Sequence, residues 1–152
     1  MQQVNNKGFT LVELIVTIAV LAIIVVMAAP SFATAYTRQK LESSARELVS
    51  KISEARSKAI LLRKTTGVCL DSLSETECAT ALAITNTYKD RIFVAYLDRG
   101  VMAESLSAKS IQFRSNGSIP VSVNFILSRD ALSYCINVGI TGDTRIKEGV
   151  CT

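Results

Sequence analysis

From Leu14 to Tyr36 the chain carries no charged side chain, and as far as Ala29 only Thr17 is polar. Such a run is long enough to cross a hydrocarbon core ~30 Å thick as a single helix. It opens directly behind Lys7-Gly8-Phe9-Thr10-Leu11-Val12-Glu13, so one carboxylate, Glu13, stands at its start. An acidic side chain at mid-bilayer costs roughly 2.5–3.5 kcal/mol, and less near the interface. A charge kept there calls for a partner, which makes Glu13 a candidate functional residue.

The segment does not read as an ordinary signal peptide. Its charged region holds one lysine, and its apolar part exceeds the usual ~7–15 residues. Ala28-Ala29-Pro30 is a poor cleavage site, because the helical pattern resumes beyond it. The run is therefore expected to be retained. Lys7 on its N-terminal side, with Arg38 and Lys40 well beyond it, favours a cytoplasmic N-terminus. The remainder would then lie in the periplasm, where disulfides persist.

Of the 152 residues, about 120 are left for one compact domain. The net charge of +4 is modest, and Lys and Arg are scattered rather than blocked. With no His, His-based catalysis and His-ligated metal sites are excluded, and no cofactor is implied. No nucleophile elbow is present, so the chain does not read as an enzyme.

Pro30 is expected to kink the helix, since proline removes a backbone donor and crowds the preceding turn. Past it, Leu41, Ala45, Leu48, Ile52, Ala55, Ala59 and Leu62 recur at alternating spacings of four and three, a stripe along one helix face. Glu42–Arg46, Glu47–Lys51 and Glu54–Lys58 are candidate i,i+4 pairs. One helix from about residue 10 to about 64 would be near 80 Å long, so its first half is expected to project. After Lys64 the period falls to two. Strands are expected at Thr66–Leu70, Ala81–Thr85, Arg91–Leu97, Ser110–Arg114, Val121–Leu127 and Leu132–Val138, with turns at Asp98-Arg99-Gly100, Ser115-Asn116-Gly117 and Gly139 to Gly142. The fold class is α+β: a long helical stalk whose amphipathic half packs on an antiparallel β-sheet.

Four cysteines allow three pairings. Cys69–Cys78 with Cys135–Cys151 closes two local loops and pins the C-terminal tail. A zinc ribbon would need pairs spaced Cys-x2–4-Cys, and these gaps do not fit, so no metal site is expected.

Lys7-Gly8-Phe9-Thr10-Leu11-Val12-Glu13-Leu14 closely resembles the cleavage and assembly motif of type IV pilins and type II secretion pseudopilins. The resemblance implies cleavage by a prepilin peptidase between Gly8 and Phe9, N-methylation of Phe9 by the same enzyme, and retention of the apolar helix as filament core. Glu13 becomes the fifth residue of the processed chain and Pro30 the twenty-second, both matching the family pattern. In the bilayer Glu13 would pair with the terminal amine of a neighbouring subunit. The division implied is a leader at 1–8, a transmembrane and filament-core helix at 9–36, and a periplasmic domain at 37–152 built from a helix, 37–64, and a sheet, 65–152.

Val138 to Ile146 resembles the closing segment of the minor pilins called GspH/FimT/FimU, and Ile111 to Gly117 resembles a strand-and-turn element of the same group. In some FimT members a Gly-Arg-x-Arg tail binds DNA. Here Asp143 replaces the first arginine and only Arg145 matches the second. Arg145 and Lys147 are the candidate DNA contacts, but an acid beside the surviving cation repels phosphate, and a solvated face is the favoured reading. The resemblance implies a low-copy minor pilin of a type IV pilus or type II secretion pseudopilus in the inner membrane. Its partners would be major pilin and other minor pilins. The alternative is a DNA-binding tip subunit used in transformation.

Overall fold

The computed structural model describes residues 9–84 and 90–151. The leader 1–8, including Gly8, and Thr85 at the end of one expected strand lie outside the described residues. The chain divides into two units, Met1–Tyr36 and Thr37–Thr152. Helix α1, Leu11–Leu62, contributes residues to both.

In the first unit every described residue is exposed. An 18-residue window of α1 has a mean hydropathy of 3.0, and none of it is buried. Helix α1 continues past Pro30 without a break. Thr17 Oγ1 donates to the Leu14 carbonyl at 2.8 Å and Thr34 Oγ1 to the Pro30 carbonyl at 3.3 Å. These hydroxyls are thus satisfied within the helix, which lets them sit in apolar surroundings.

In the second unit α1 lays its stripe into the core. Leu41, Ala45, Leu48, Ile52, Ala55 and Ala59 are fully buried. Leu62, expected on the same stripe, is 39% exposed, because the helix ends there and Arg63 turns to φ 50°. The helix therefore stops short of the expected Lys64. Of the three expected i,i+4 pairs, Glu42–Arg46 forms at 2.7 Å, whereas Lys51 turns to Glu54 at 3.2 Å.

The elements that follow are β1 Thr66–Leu70, α2 Glu75–Ala81, β2 Ile92–Ala95, β3 Met102–Ala103, β4 Ser110–Phe113, β5 Val123–Arg129, β6 Leu132–Val138 and β7 Thr144–Glu148. They build two sheets, one ordered β2-β1-β4 and the other β3-β5-β6-β7. The architecture is α+β, but the strands do not form the single antiparallel sheet expected. β1 and β2 run parallel, in register from Gly67↔Ile92 to Leu70↔Ala95, and the other pairs are antiparallel. A parallel pair needs a crossover rather than a hairpin, and the chain between β1 and β2 includes α2. Residues 75–81 are accordingly helical, and Leu82 and Ala83 form a turn where a strand was expected at Ala81–Thr85. β5 begins two residues later than expected, since Val121 follows Pro120 and is 62% exposed.

One core joins the α1 stripe to Val68, Leu70, Ile111 and Phe113 of the first sheet and to Phe125, Leu127 and Ile136 of the second. Side chains alternate along a strand, so Cys69 faces away from α1 into a second cluster with Cys78, Leu82 and Ile84. β1 is buried on both faces. Its Gly67 is a place of close approach: a Cβ there would lie 2.5 Å from the Leu82 side chain and 2.9 Å from the Ile111 carbonyl. Disulfides join Cys69 to Cys78 and Cys135 to Cys151. The first ties α2 to β1, and the second ties the segment after β7 back to β6.

Candidate functional site

The N-terminal junction is built around a helix start. Phe9 and Thr10 precede α1, and Phe9 is 87% exposed. Thr10 Oγ1 accepts the Glu13 backbone N–H at 3.2 Å, and the Thr10 carbonyl accepts the Leu14 N–H at 3.2 Å. Thr10 is therefore the N-cap, satisfying one of the four amide donors that any helix start leaves open. Glu13 occupies the third helical position, where a carboxylate is favoured by the positive end of the helix dipole. The sequence had given Thr10 no role of its own. The signal was present, since Thr-x-x-Glu ahead of an apolar run is a capping-box signature.

Chemically, the junction offers an exposed non-helical stretch ahead of a capped helix, then one acid on an otherwise apolar surface. The exposed apolar residues Leu11, Val12, Leu14 and Ile15 surround that acid in sequence. Pro30 lies inside the same helix. Gly8, the other half of the cleavage site, lies outside the described residues.

Where α1 enters the globular unit, polar contacts hold its first turns. Thr37 Oγ1 donates to Asp130 at 3.0 Å, Arg38 pairs with Glu148 at 2.9 Å, and Lys40 pairs with Asp98 at 2.9 Å. Tyr134 nearby has its hydroxyl pKa pushed up by burial, with Glu148 and Glu42 adding to the effect.

The two candidate nucleic-acid contacts lie on β7. The Arg145 side chain is 83% exposed and stands 3.9 Å from the Asp143 carboxylate. Asp143 also accepts from Thr141 Oγ1 at 2.5 Å, and that bond leads in holding its carboxyl below the ordinary range, with Arg145 and Arg56 contributing. Lys147 sits opposite Cys135 in the β6–β7 ladder. Among the described residues no group of three or more His, Cys, Asp or Glu could hold a metal ion.

The fold is that of a pilin subunit. The chain superposes on the crystal structure of the type IV minor pilin FimU from Pseudomonas aeruginosa PAO1 with a TM-score of 0.53 and 16% identity, covering 72% of this chain and 90% of that one. Residues 4–29 match the family described as the prokaryotic N-terminal methylation motif. No curated protein sequence matches the chain. The molecule thus combines a prokaryotic N-terminal methylation motif with a fold like that of FimU.

Proposed function

We propose that this protein is a minor pilin, a low-copy structural subunit that primes assembly of a type IV pilus or type II secretion pseudopilus. The observation that carries the reading is the methylation motif at residues 4–29, which runs into a helix whose apolar side chains are uncovered from Leu11 to Tyr36. An uncovered surface of that kind is unstable in water and needs lipid or other helices around it. A filament subunit meets both environments in turn, lipid before assembly and neighbouring stalks after it.

In this reading a prepilin peptidase cuts after Gly8 on the cytoplasmic face of the inner membrane, and Phe9 is methylated. The globular domain faces the periplasm. Glu13 pairs with the terminal amine of an adjacent subunit and sets the axial register. Burial between stalks supplies most of the adhesion, at ~25 cal/mol per Å² of apolar surface. Pro30 lets the stalk bend at that point, and the protein's partners are major pilin and the other minor pilins. The DNA-receptor reading gains no observation of its own, because Asp143 stands beside Arg145.

Mass spectrometry of the protein from its native envelope tests the proposal. The expected species begins at Phe9 and is methylated there. An intact leader, or loss of the whole apolar helix, would overturn it.

A further inference from the structure

The cations of the globular unit are unevenly matched. Arg38, Lys40, Arg46 and Lys51 each have a carboxylate within 3.2 Å. At the C-terminal end of α1, by contrast, Lys58, Arg63 and Lys64 have no ion pair among the described residues, and neither does Arg114. Antiparallel pairing of Thr66 with Phe113 brings Arg114, one residue beyond β4, beside the start of β1 and hence close to Lys64.

Aliphatic side chains are exposed at the same end. Ile60 is 50% exposed and Leu61 74%. This end is also firmly built. Gly117 (φ +77°) lies so close to Ile60 and the Arg56 stem that a Cβ there would be 2.7 Å from Ile60 Cδ1. A Cβ on Gly142 (φ +81°) would be 2.8 Å from the Gly117 carbonyl and 2.9 Å from Arg56 Nε. Two turns are thereby clamped over the last turns of α1, and Arg56 Nε is shielded from solvent without a hydrogen-bond partner.

We propose that this end of the domain, Ile60 and Leu61 rimmed by Lys58, Arg63, Lys64 and Arg114, is a docking surface for a different protein that presents carboxylates around an apolar centre. An apolar centre with a polar, solvent-accessible rim is the anatomy of a protein interface. Unmatched rim charges steer an oppositely charged partner and suppress like-charged ones. A nucleic acid would use the cations but leave Ile60 and Leu61 without a counterpart, since most of its contacts go to phosphate and sugar. A lipid surface is disfavoured because α1 enters the domain at Thr37, about 38 Å of helix from Leu62; only this step rests on the proposed topology. A second copy offers a poor match. In its acidic segment Asp71 accepts the Leu97 N–H and Glu77 is held by Ser74, which leaves Glu75 as the one uncommitted carboxylate there among the described residues.

The test uses the full chain in its native envelope with Leu61 replaced by the photo-crosslinker p-benzoylphenylalanine, and with Leu106, 88% exposed and ahead of β4 rather than beyond it, replaced in a control. The expected result is an adduct from position 61, absent from position 106, to a distinct protein whose cross-linked peptide is rich in Asp and Glu. Arg63→Glu with Lys64→Glu should lower its yield about tenfold, and raised salt should lower it in the unaltered rim. If the double reversal lowers the thermal midpoint, Arg63→Gln with Lys64→Gln takes its place. No adduct above the control, an adduct to nucleic acid, lipid or a second copy, or a yield indifferent to charge and salt would each overturn the proposal. N-terminal processing, read from the mass of the same samples, bears on the pilin assignment and not on this surface.

Discussion

The Glu13 backbone N–H donates to the Thr10 hydroxyl at 3.2 Å, and this bond separates two tasks within the N-terminal motif. The cap uses the Glu13 amide and leaves its carboxylate available to a partner. Glu13→Ala should therefore keep the helix start, insert in the membrane and be processed normally. Removing one member of a low-dielectric ion pair costs about 3–5 kcal/mol, so incorporation into filaments should fall steeply. Quantitative immunoblots of sheared filaments against whole envelopes measure this, and equal incorporation would remove the role. Thr10→Ala, in contrast, should weaken the first turn by ~1 kcal/mol.

How much of this could be read from the chain depended on period and length. The stripe from Leu41 to Leu62 was legible because seven positions spaced four and three apart fix a helical face; six of them are buried, and Leu62 is exposed where the helix ends. β1 and β6 were legible to the residue, since each is a compact β-branched or aromatic run between turn signals. α2 was missed because seven residues are too few to show a helical period, although Ser74 and Glu77 form a complete capping box. β7 reads Thr-Arg-Ile-Lys-Glu, mostly exposed, and such an edge strand looks like a solvated loop. The parallel pairing of β1 with β2 is a tertiary choice that no local run records. At the site, Glu13 stood out for the charge pattern and Phe9 through the resemblance of Lys7 to Leu14 to the pilin motif, while the Thr-x-x-Glu signature that marks Thr10 as a cap was passed over.

Thr66 is fully buried, and its hydroxyl donates to the Ala55 carbonyl at 2.7 Å, tying the start of β1 to α1. Thr66→Val keeps the shape and deletes the donor. The expected loss is about 0.5–1.5 kcal/mol, the net value of one hydrogen bond. Urea unfolding followed by circular dichroism should show a lower midpoint with an unchanged slope. An unchanged midpoint would mean that the bond adds nothing to stability.

Acid should weaken the turn between β6 and β7. The Asp143 carboxyl is held below its ordinary range chiefly by the Thr141 hydroxyl, with Arg145 and Arg56 adding to the effect. A depressed folded pKa gives stability that is present above the unfolded value, near pH 4, and is lost as pH falls through the folded value. Glu77 behaves in the same sense, led by its bond from Ser74. Thermal midpoints should therefore drop as pH falls below about 4. Asp143→Asn should lower the midpoint at neutral pH and flatten part of that limb, so that variant and parent converge in acid. An identical acid limb in the variant would show that the carboxylate contributes nothing there.

The two disulfides should respond differently to reductant. Cys69 and Cys78 are 1% and 2% exposed, whereas Cys151 is half-buried and close to the C-terminus. Attack by an external thiolate needs access to a sulfur, so the Cys135–Cys151 bridge should open first. It spans 16 residues, and a loop of that length is worth about 3 kcal/mol in the chain-entropy account. Its loss releases the segment that follows β7, an edge strand held on one side by β6. Trypsin should then cut after Lys147 much faster than in the oxidised protein, while Cys69 and Cys78 stay unmodified. Alkylation with iodoacetamide at graded dithiothreitol, read by peptide mass, assigns the order. Simultaneous labelling of all four cysteines would show that the tail and the core open together.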